Sequence, residues 1–545
     1  MFFIKRFCWI FPTVIFAVLV ILGSLMHPLW GDEAETALFG RSILSHGVPY
    51  GWDGVNIMGI NDAVVLDKNL INHKSPWAQY YLVAVSFFIF PENSFTARLP
   101  FILISILTFP LLYSMVLKLT KSKKIAVVTL LILSLSPAYI MFAYQTRYYA
   151  LTTLCSIGLT YSIWHLHEKR LWPKIAFVGF AVLFFYSNYV VFVAFLISLI
   201  TAYVMYLLLH KRRRDARNII LNVLSLGIPI GILTLPWFLI MQPFGGGQGS
   251  FSSPQFTTFY ISILLQLFYA AISPFINNNG LPLLLIFGYL CMLFFQRKNS
   301  QLPMYIFLFL LPFFYFLLMT AITALVEVET AFIHNRYTMN IFPFLVVLVA
   351  VFVSYLWQLR KIVAILVLCI YLMTNLFSFQ PRSLLMGFVG EIIQPYQTPD
   401  KVVADYLKEH AKDGDTAFVS LDRDHEPLIF YLGKKIRFIN RITPTNPRVF
   451  PENRGILPRY LYNYFGSPDW VILYSKKQND QSFLLFDMRD EYPLGLSPMV
   501  NLKSDYAEIP LNVFFADESR PEIELHSFKR EAFHPDERVF IYKKK

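Results

Sequence analysis

Charged residues at four separated places in the chain are of the types that a group-transfer reaction uses. Asp32 and Glu33 stand together in GDEAETALFGRSILSHGVP, directly after the apolar run Phe7 to Leu29. Carboxylates held at a membrane surface cost desolvation energy and tend to be kept for chemistry or ion handling. Asp32 can be a general base that lifts a proton from an attacking nucleophile. It can equally be a cap that suits the dipole of the helix it opens. Lys74, in Asn72-His73-Lys74-Ser75-Pro76-Trp77, offers a cation to a departing phosphate or a snorkelling anchor at the interface. Arg147 lies in Tyr144-Gln145-Thr146-Arg147-Tyr148-Tyr149 and Arg336 in His334-Asn335-Arg336-Tyr337. Guanidinium groups match phosphate oxygens, although isolated arginines at the ends of spans also hold lipid headgroups.

The elements that must position these groups are membrane helices. Of 545 residues 56% are hydrophobic and 15% charged, and mean hydropathy is +0.50, which excludes an ordinary soluble protein and fits a polytopic membrane protein. The 53 Phe and 31 Tyr suit chains that face lipid and its interfaces. Crossing a bilayer as a helix takes roughly 20 apolar residues. Runs at 8–28, 98–117, 125–143, 148–165, 175–189, 190–209, 219–240, 281–295, 302–322, 338–357 and 362–379 predict about eleven spans. The fifth and sixth come from one long run broken near Ser187-Asn188, while 77–90 is too short to span and reads as an interfacial or re-entrant helix.

The formal charge of +12 does not indicate nucleic acid. Its basic residues sit in the short breaks at Lys5-Arg6, Lys118 to Lys124, Lys169 to Lys174, Lys211 to Arg217, Arg297-Lys298 and Arg360-Lys361, all on one side when eleven spans are threaded. That side is cytoplasmic by the positive-inside rule. The N-terminus, read as an uncleaved first span, is then cytoplasmic, and the loop with Asp32 faces outward. Cys8, Cys155, Cys291 and Cys369 lie in or beside apolar runs and form no disulfide framework or zinc spacing.

Two domains are expected: 1–380 as the membrane part, with a long first outer loop at 30–97, and 381–545 as an extracytoplasmic α/β domain. In the latter PDKVVADYLKEHAKDGD reads as helix then turn, TAFVSL as strand, PLIFYLGKK as helix and DWVILYS as strand. It holds no nucleophile elbow, phosphate loop or metal-ligand spacing. The linker is placed around Gln394 to Pro399. Arg98, at the start of the second span, reads as structural.

In order, the pieces resemble the GT-C superfamily of polyprenyl-phosphate-dependent glycosyltransferases, on the branch of protein O-mannosyltransferases and bacterial lipid A aminoarabinose transferases. The resemblance rests on Asp32-Glu33-Ala34 running into Gly40-Arg41-Ser42-Ile43-Leu44, and on His73-Lys74-Ser75-Pro76 before an interfacial helix. Thr96-Ala97-Arg98-Leu99-Pro100, Arg147-Tyr148 and Arg336-Tyr337 complete it. It implies a GT-C type fold and an inverting transfer, at the outer face of the cell (inner) membrane, from a polyprenyl-phosphate sugar to a lipid, glycan or protein. The transferred group is a hexosyl or pentosyl unit. Carried over by residue, Asp32 is the base with Glu33 assisting, and Lys74, Arg147 and Arg336 bind the donor phosphate. His73, Tyr148, Tyr337 and Arg41 are accessory candidates. Ser75 departs from the family's usual Pro after the lysine. No metal ligand set and no cofactor are expected, the lipid-linked sugar being a substrate; a part for a divalent metal stays open. The partners expected are the donor, the acceptor and membrane lipids.

Other classes make different demands. A polytopic transporter or lipid-linked sugar flippase would place ionisable residues near the bilayer midplane and often carries paired repeats; here the charges lie at outer span ends. A phosphoethanolamine transferase would need clustered metal ligands, whereas His410, His425, His526 and His534 are scattered. A non-catalytic assembly or receptor protein also remains open at this point.

Overall fold

A computed structural model of the chain describes residues 8–59, 66–67, 69–73, 75–166, 168, 170–211, 213–241, 281–297, 299–322, 326–327, 332–333, 335–373, 384–393, 398–419, 425–439, 467–474, 502–509, 511 and 539–545. By contact the chain divides into two units. One is Met1–Ser24, Arg98–Ile393 and Pro521–Leu525; the other is Leu25–Ala97, Gln394–Arg520 and His526–Lys545. The first loop therefore groups with the C-terminal part. The boundary drawn at 380 and 381, the linker residues 394–397 and the basic pair Lys5-Arg6 lie outside the described residues.

The helices run, in chain order, α1 (Ile10–Met26), α2 (Gly31–His46), α3 (Ala78–Ile89), α4 (Ser94–Thr120), α5 (Lys123–Ser134), α6 (Pro137–Ala143) and α7 (Tyr149–Ile163). Then come α8 (Trp172–Ser187), α9 (Tyr189–Leu209), α10 (Arg213–Met241), α11 (Leu281–Phe295), α12 (Leu302–Ile322), α13 (Phe342–Leu359), α14 (Lys361–Met373) and α15 (Leu384–Ile393). Among the described residues five stretches are long and apolar enough to cross a membrane: Ser94–Thr120, Tyr189–Leu209, Arg217–Leu239, Leu302–Met319 and Phe342–Leu359. The pairs α1 with α2 and α5 with α6 reach that length only together, each as a bent pair. The stretch 77–90 holds the short apolar helix α3, with Val85, Phe88 and Ile89 exposed along one side.

Local sequence explains where the helices break. Asn188 adopts extended backbone and its side chain accepts a hydrogen bond from the Val191 N–H at 3.1 Å, capping α9 and ending the long run after α8. Ser122 caps α5 in the same way, accepting from Ile125 at 3.3 Å. Within this first unit Phe16 stacks on Phe109 with centroids 4.3 Å apart, and Tyr139 stacks on Phe342 at 6.1 Å. Arg98 is fully buried there. Its Nη1 donates to the Ser24 carbonyl at 2.8 Å, and its guanidinium lies 5.1 Å from the centre of the Tyr144 ring. A buried guanidinium without such partners would cost several kcal/mol, so Arg98 is structural, as its position in the sequence suggests.

The second unit contains α16 (Pro399–His410), α17 (Glu426–Leu432) and a five-stranded mixed sheet. After a separate hairpin in the other unit, β1 (Val326–Glu327) and β2 (Phe332–Ile333), the sheet strands are β3 (Asp415–Val419), β4 (Ile436–Phe438), β5 (Trp470–Tyr474), β6 (Tyr506–Ile509) and β7 (Val539–Lys544). Their order is β4-β3-β5-β7-β6, with β3 parallel to β4 and β5, and β7 antiparallel to β5 and β6. α16 starts on Pro399 with Asp400 in its first turn and ends with Lys408 in its last, each charge complementing the helix dipole. Glu508 faces Tyr542 across the last strand pair. Burial first, and that carboxylate second, push the Tyr542 hydroxyl up to about 12.

β4 is an edge strand, and the first loop covers it. The Asn56 side chain donates from Nδ2 to the Ile436 carbonyl at 2.9 Å, and its Oδ1 accepts from the Phe438 N–H at 2.8 Å. One buried amide thus stands in for a neighbouring strand. Asn56→Ala strips both bonds and should cost about 1–3 kcal/mol. The cost should appear as a lower melting temperature of the full-length protein; an unchanged melting temperature would remove this role.

Candidate active site

The acidic pair opens α2. Trp30 holds the N-cap position in extended conformation and its side chain makes no capping bond. Asp32 therefore stands inside the first turn and is not the cap. Asp32, Glu33 and Glu35 are all buried, Glu33 completely. Charges of this sign suit a helix N-terminus, yet taking them out of water is costly. The Thr36 hydroxyl donates to the Asp32 carbonyl at 3.0 Å. At the far end Gly47, with φ of +74°, closes the helix by donating its N–H to the Ile43 carbonyl at 2.8 Å.

α2 lies against α3. Phe39 and Ile43 pack with Tyr80 and Ala84, and the Phe39 and Tyr80 rings are 5.3 Å apart. The approach is closest at Gly40, where a Cβ would stand 2.6 Å from Cγ1 of Val83. Arg41 has protein partners: its Nε bonds Glu92 at 2.6 Å and its Nη2 donates to the Phe430 carbonyl at 3.3 Å.

The segment before α3 is held by its own side chains. Asp67 accepts from the N–H groups of Asn69 and Ile71 at 2.9 and 2.8 Å, a turn of the kind short carboxylates favour. His73 pairs with Asp67 at 3.4 Å. Trp77 Nε1 donates to the Asn72 carbonyl at 2.8 Å, and Asn72 Nδ2 to the Tyr80 hydroxyl at 3.1 Å. Lys74 lies outside the described residues. Its neighbours His73 and Trp77 are fixed within this frame.

The two arginine segments belong to the other unit, and there they meet. Thr153, at the start of α7, donates to the Met339 carbonyl at 3.2 Å. The Tyr315 hydroxyl, from α12, bonds both the Tyr337 carbonyl at 2.6 Å and the Asn340 Oδ1 at 2.9 Å. Arg147 is buried and its guanidinium sits 6.0 Å from the Tyr148 ring centre; half-buried Arg336 sits 5.3 Å from that of Tyr337. Stretches almost 190 residues apart in the sequence are thus joined through Thr153 and Met339, and each carries a guanidinium beside an aromatic ring. His334 lies outside the described residues.

Among the described residues no group of three or more His, Cys, Asp or Glu side chains is placed to hold a metal ion. Sequence reasoning passed over Asn56, Glu426 and Tyr431, which tie the α2 region to the C-terminal part. Glu426 is fully buried and accepts from the Gly59 N–H at 3.2 Å. Tyr431 lies in a segment read as helix, but no motif marks any of the three as a tie, so only the folded chain reveals their partners.

Residues 74–238 match the family described as dolichyl-phosphate-mannose-protein mannosyltransferase. Among solved structures, ArnT from Cupriavidus metallidurans bound to undecaprenyl phosphate superposes with a TM-score of 0.57 at 14% identity, covering 98% of this chain and 97% of that one. The same protein in the apo state gives 0.54 at 15% identity over the same shares. The oligosaccharyltransferase of Archaeoglobus fulgidus, in complex with zinc and sulfate, gives 0.51 at 11% identity, covering 85% of this chain and 68% of that one. No curated protein matches.

The close passage of α2 over α3 can be tested directly. Gly40→Leu forces a branched side chain against Val83 and the Ala84 backbone. It should destabilise the protein by about 1–3 kcal/mol, read as a fall in melting temperature in detergent or nanodiscs. A wild-type melting curve would show that the two helices do not pack this closely.

Proposed function

We propose that this chain, which has the GT-C fold of polyprenyl-phosphate-dependent membrane glycosyltransferases, moves a hexosyl or pentosyl unit from a polyprenyl-phosphate donor to a lipid, glycan or protein acceptor. The observation that carries the reading is the fold it shares with ArnT along nearly its whole length. The match of residues 74–238 to a lipid-phosphate-sugar transferase family supports it. The undecaprenyl phosphate bound in the ArnT structure is the class of carrier proposed for this chain.

The roles follow from the chemistry. The acceptor oxygen attacks the anomeric carbon from the face opposite the lipid phosphate. The new bond is carbon to acceptor oxygen; the bond that breaks joins that carbon to the phosphate oxygen. The electron pair leaves with the phosphate, and the anomeric configuration inverts. Asp32 takes the acceptor proton, and Glu33 beside it helps to orient the carboxylate. Lys74, Arg147 and Arg336 stabilise the charge gathering on the departing phosphate. His73, Tyr148 and Tyr337 flank these groups as accessory residues. Arg41 contributes through its bonds to Glu92 and the Phe430 carbonyl. The basic breaks support a cytoplasmic N-terminus and a reaction at the outer face of the inner membrane.

Purified protein incubated with a panel of polyprenyl-phosphate sugars should release free polyprenyl phosphate from at least one of them. Release from none, by protein shown to be folded, would defeat the transferase reading. With the active donor, Asp32→Asn should lower turnover by about 10²–10⁴-fold while leaving the protein inserted and folded. Near-wild-type turnover would remove Asp32 as the base.

Arg336→Ala should act differently. Losing a phosphate contact raises the donor KM, with a smaller effect on the acceptor KM. A change confined to the acceptor KM would assign Arg336 to the other substrate.

A further inference from the structure

Trp30, at the N-cap of α2, makes no side-chain capping bond. The C-terminal part bonds the chain where it turns into the helix that carries Asp32. Tyr431, in α17, accepts a hydrogen bond from the Leu29 N–H at 2.8 Å, three residues before Asp32, and its hydroxyl also lies 3.0 Å from the Ser94 hydroxyl at the start of α4. One phenol oxygen thereby joins the approach to α2 with the end of the loop that returns from α3.

The preceding residue holds the other half of the helix. The Phe430 carbonyl accepts from Arg41, whose guanidinium also lies 5.2 Å from the centre of the Phe430 ring. α17 packs along α2, and every residue of α17 except half-buried Tyr431 is buried. Leu29 lies two residues before α2 begins, and Arg41 lies in the second half of the helix. Two consecutive residues of the C-terminal part therefore hold the chain just before α2 and again in its second half. Such bonds restrain rotation and sliding of the helix, which packing by apolar side chains alone permits.

We propose that Tyr431 is a positioning residue for the reaction: its hydroxyl sets the first turn of α2, and through it the Asp32 carboxylate, making the C-terminal domain part of the catalytic machinery without touching substrate. The proposal rests on the assignment of Asp32 as base. A base displaced by about 1 Å loses much of its effect, up to 10²-fold, while donor binding by other residues is unaffected.

Tyr431→Phe removes the hydroxyl and keeps the ring. Two measurements on the full-length protein in nanodiscs test it. By hydrogen–deuterium exchange, amides of residues 27–36 should exchange at least fivefold faster than in wild type, with α7 and α9 unchanged. With the active donor, kcat should fall about tenfold or more while the donor KM stays within twofold; Ser94→Ala, which leaves the Leu29 bond in place, should keep most of the activity. Wild-type exchange in Tyr431→Phe overturns the proposal. Faster exchange with unchanged kcat also overturns it, because the position of α2 would then not matter to turnover. If wild-type protein transfers no sugar, the transferase reading fails on its own account, and exchange still decides whether Tyr431 holds the helix.

Discussion

Burying Asp32, Glu33 and Glu35 within a turn and a half of one helix costs several kcal/mol per ion before partners are counted, and much of the second unit can be understood as the structure that makes this tolerable. The helix dipole meets part of the cost, because all three stand near an N-terminus. Rigid placement meets another part. A carboxylate that moves would sample unpaired positions, so α2 is wedged against α3 at Gly40, closed by Gly47 and tied to α17 just before its start and again in its second half. The same rigidity suits a general base, whose usefulness depends on holding one geometry.

The basic groups are arranged on a different principle. Arg147 and Arg336 sit on short turns beside α7 and α13, and the backbone of one turn is hydrogen-bonded to the start of the other's helix through Thr153 and Met339. Tyr315 adds a second tie through its bonds to Tyr337 and Asn340. Each guanidinium also has an aromatic ring close by, which offsets part of the cost of partial burial. The phosphate-binding role proposed for them calls for cations held in place in this way.

Much of this was readable from residue types alone. Continuous apolar runs mark membrane helices without reference to partners, and Leu281–Phe295 and Leu302–Ile322 coincide with the expected 281–295 and 302–322. The break near Ser187-Asn188 is there because Asn188 is a good cap. In the C-terminal part α16, β3, α17 and β5 all fall on segments assigned by periodicity. The capping role weighed for Asp32 did not survive, since Trp30 occupies that position. What periodicity cannot carry is long-range pairing. Asn56 and Tyr431 look like ordinary loop and helix residues, and their work depends on partners 380 and 402 positions away. The grouping of 25–97 with the C-terminal residues is invisible for the same reason.

That separation gives the molecule a biosynthetic clock. At typical rates of synthesis, the ribosome needs roughly 20–80 s to travel from the codon for Asn56 to that for Ile436. Until then β4 does not exist and the loop amide has nothing to bond. The first helices are therefore inserted long before the contacts that fix α2 can form. A nascent or truncated chain would sit in the bilayer with its acidic helix unsecured, and competence would arrive only as the last fifth of the polypeptide emerged.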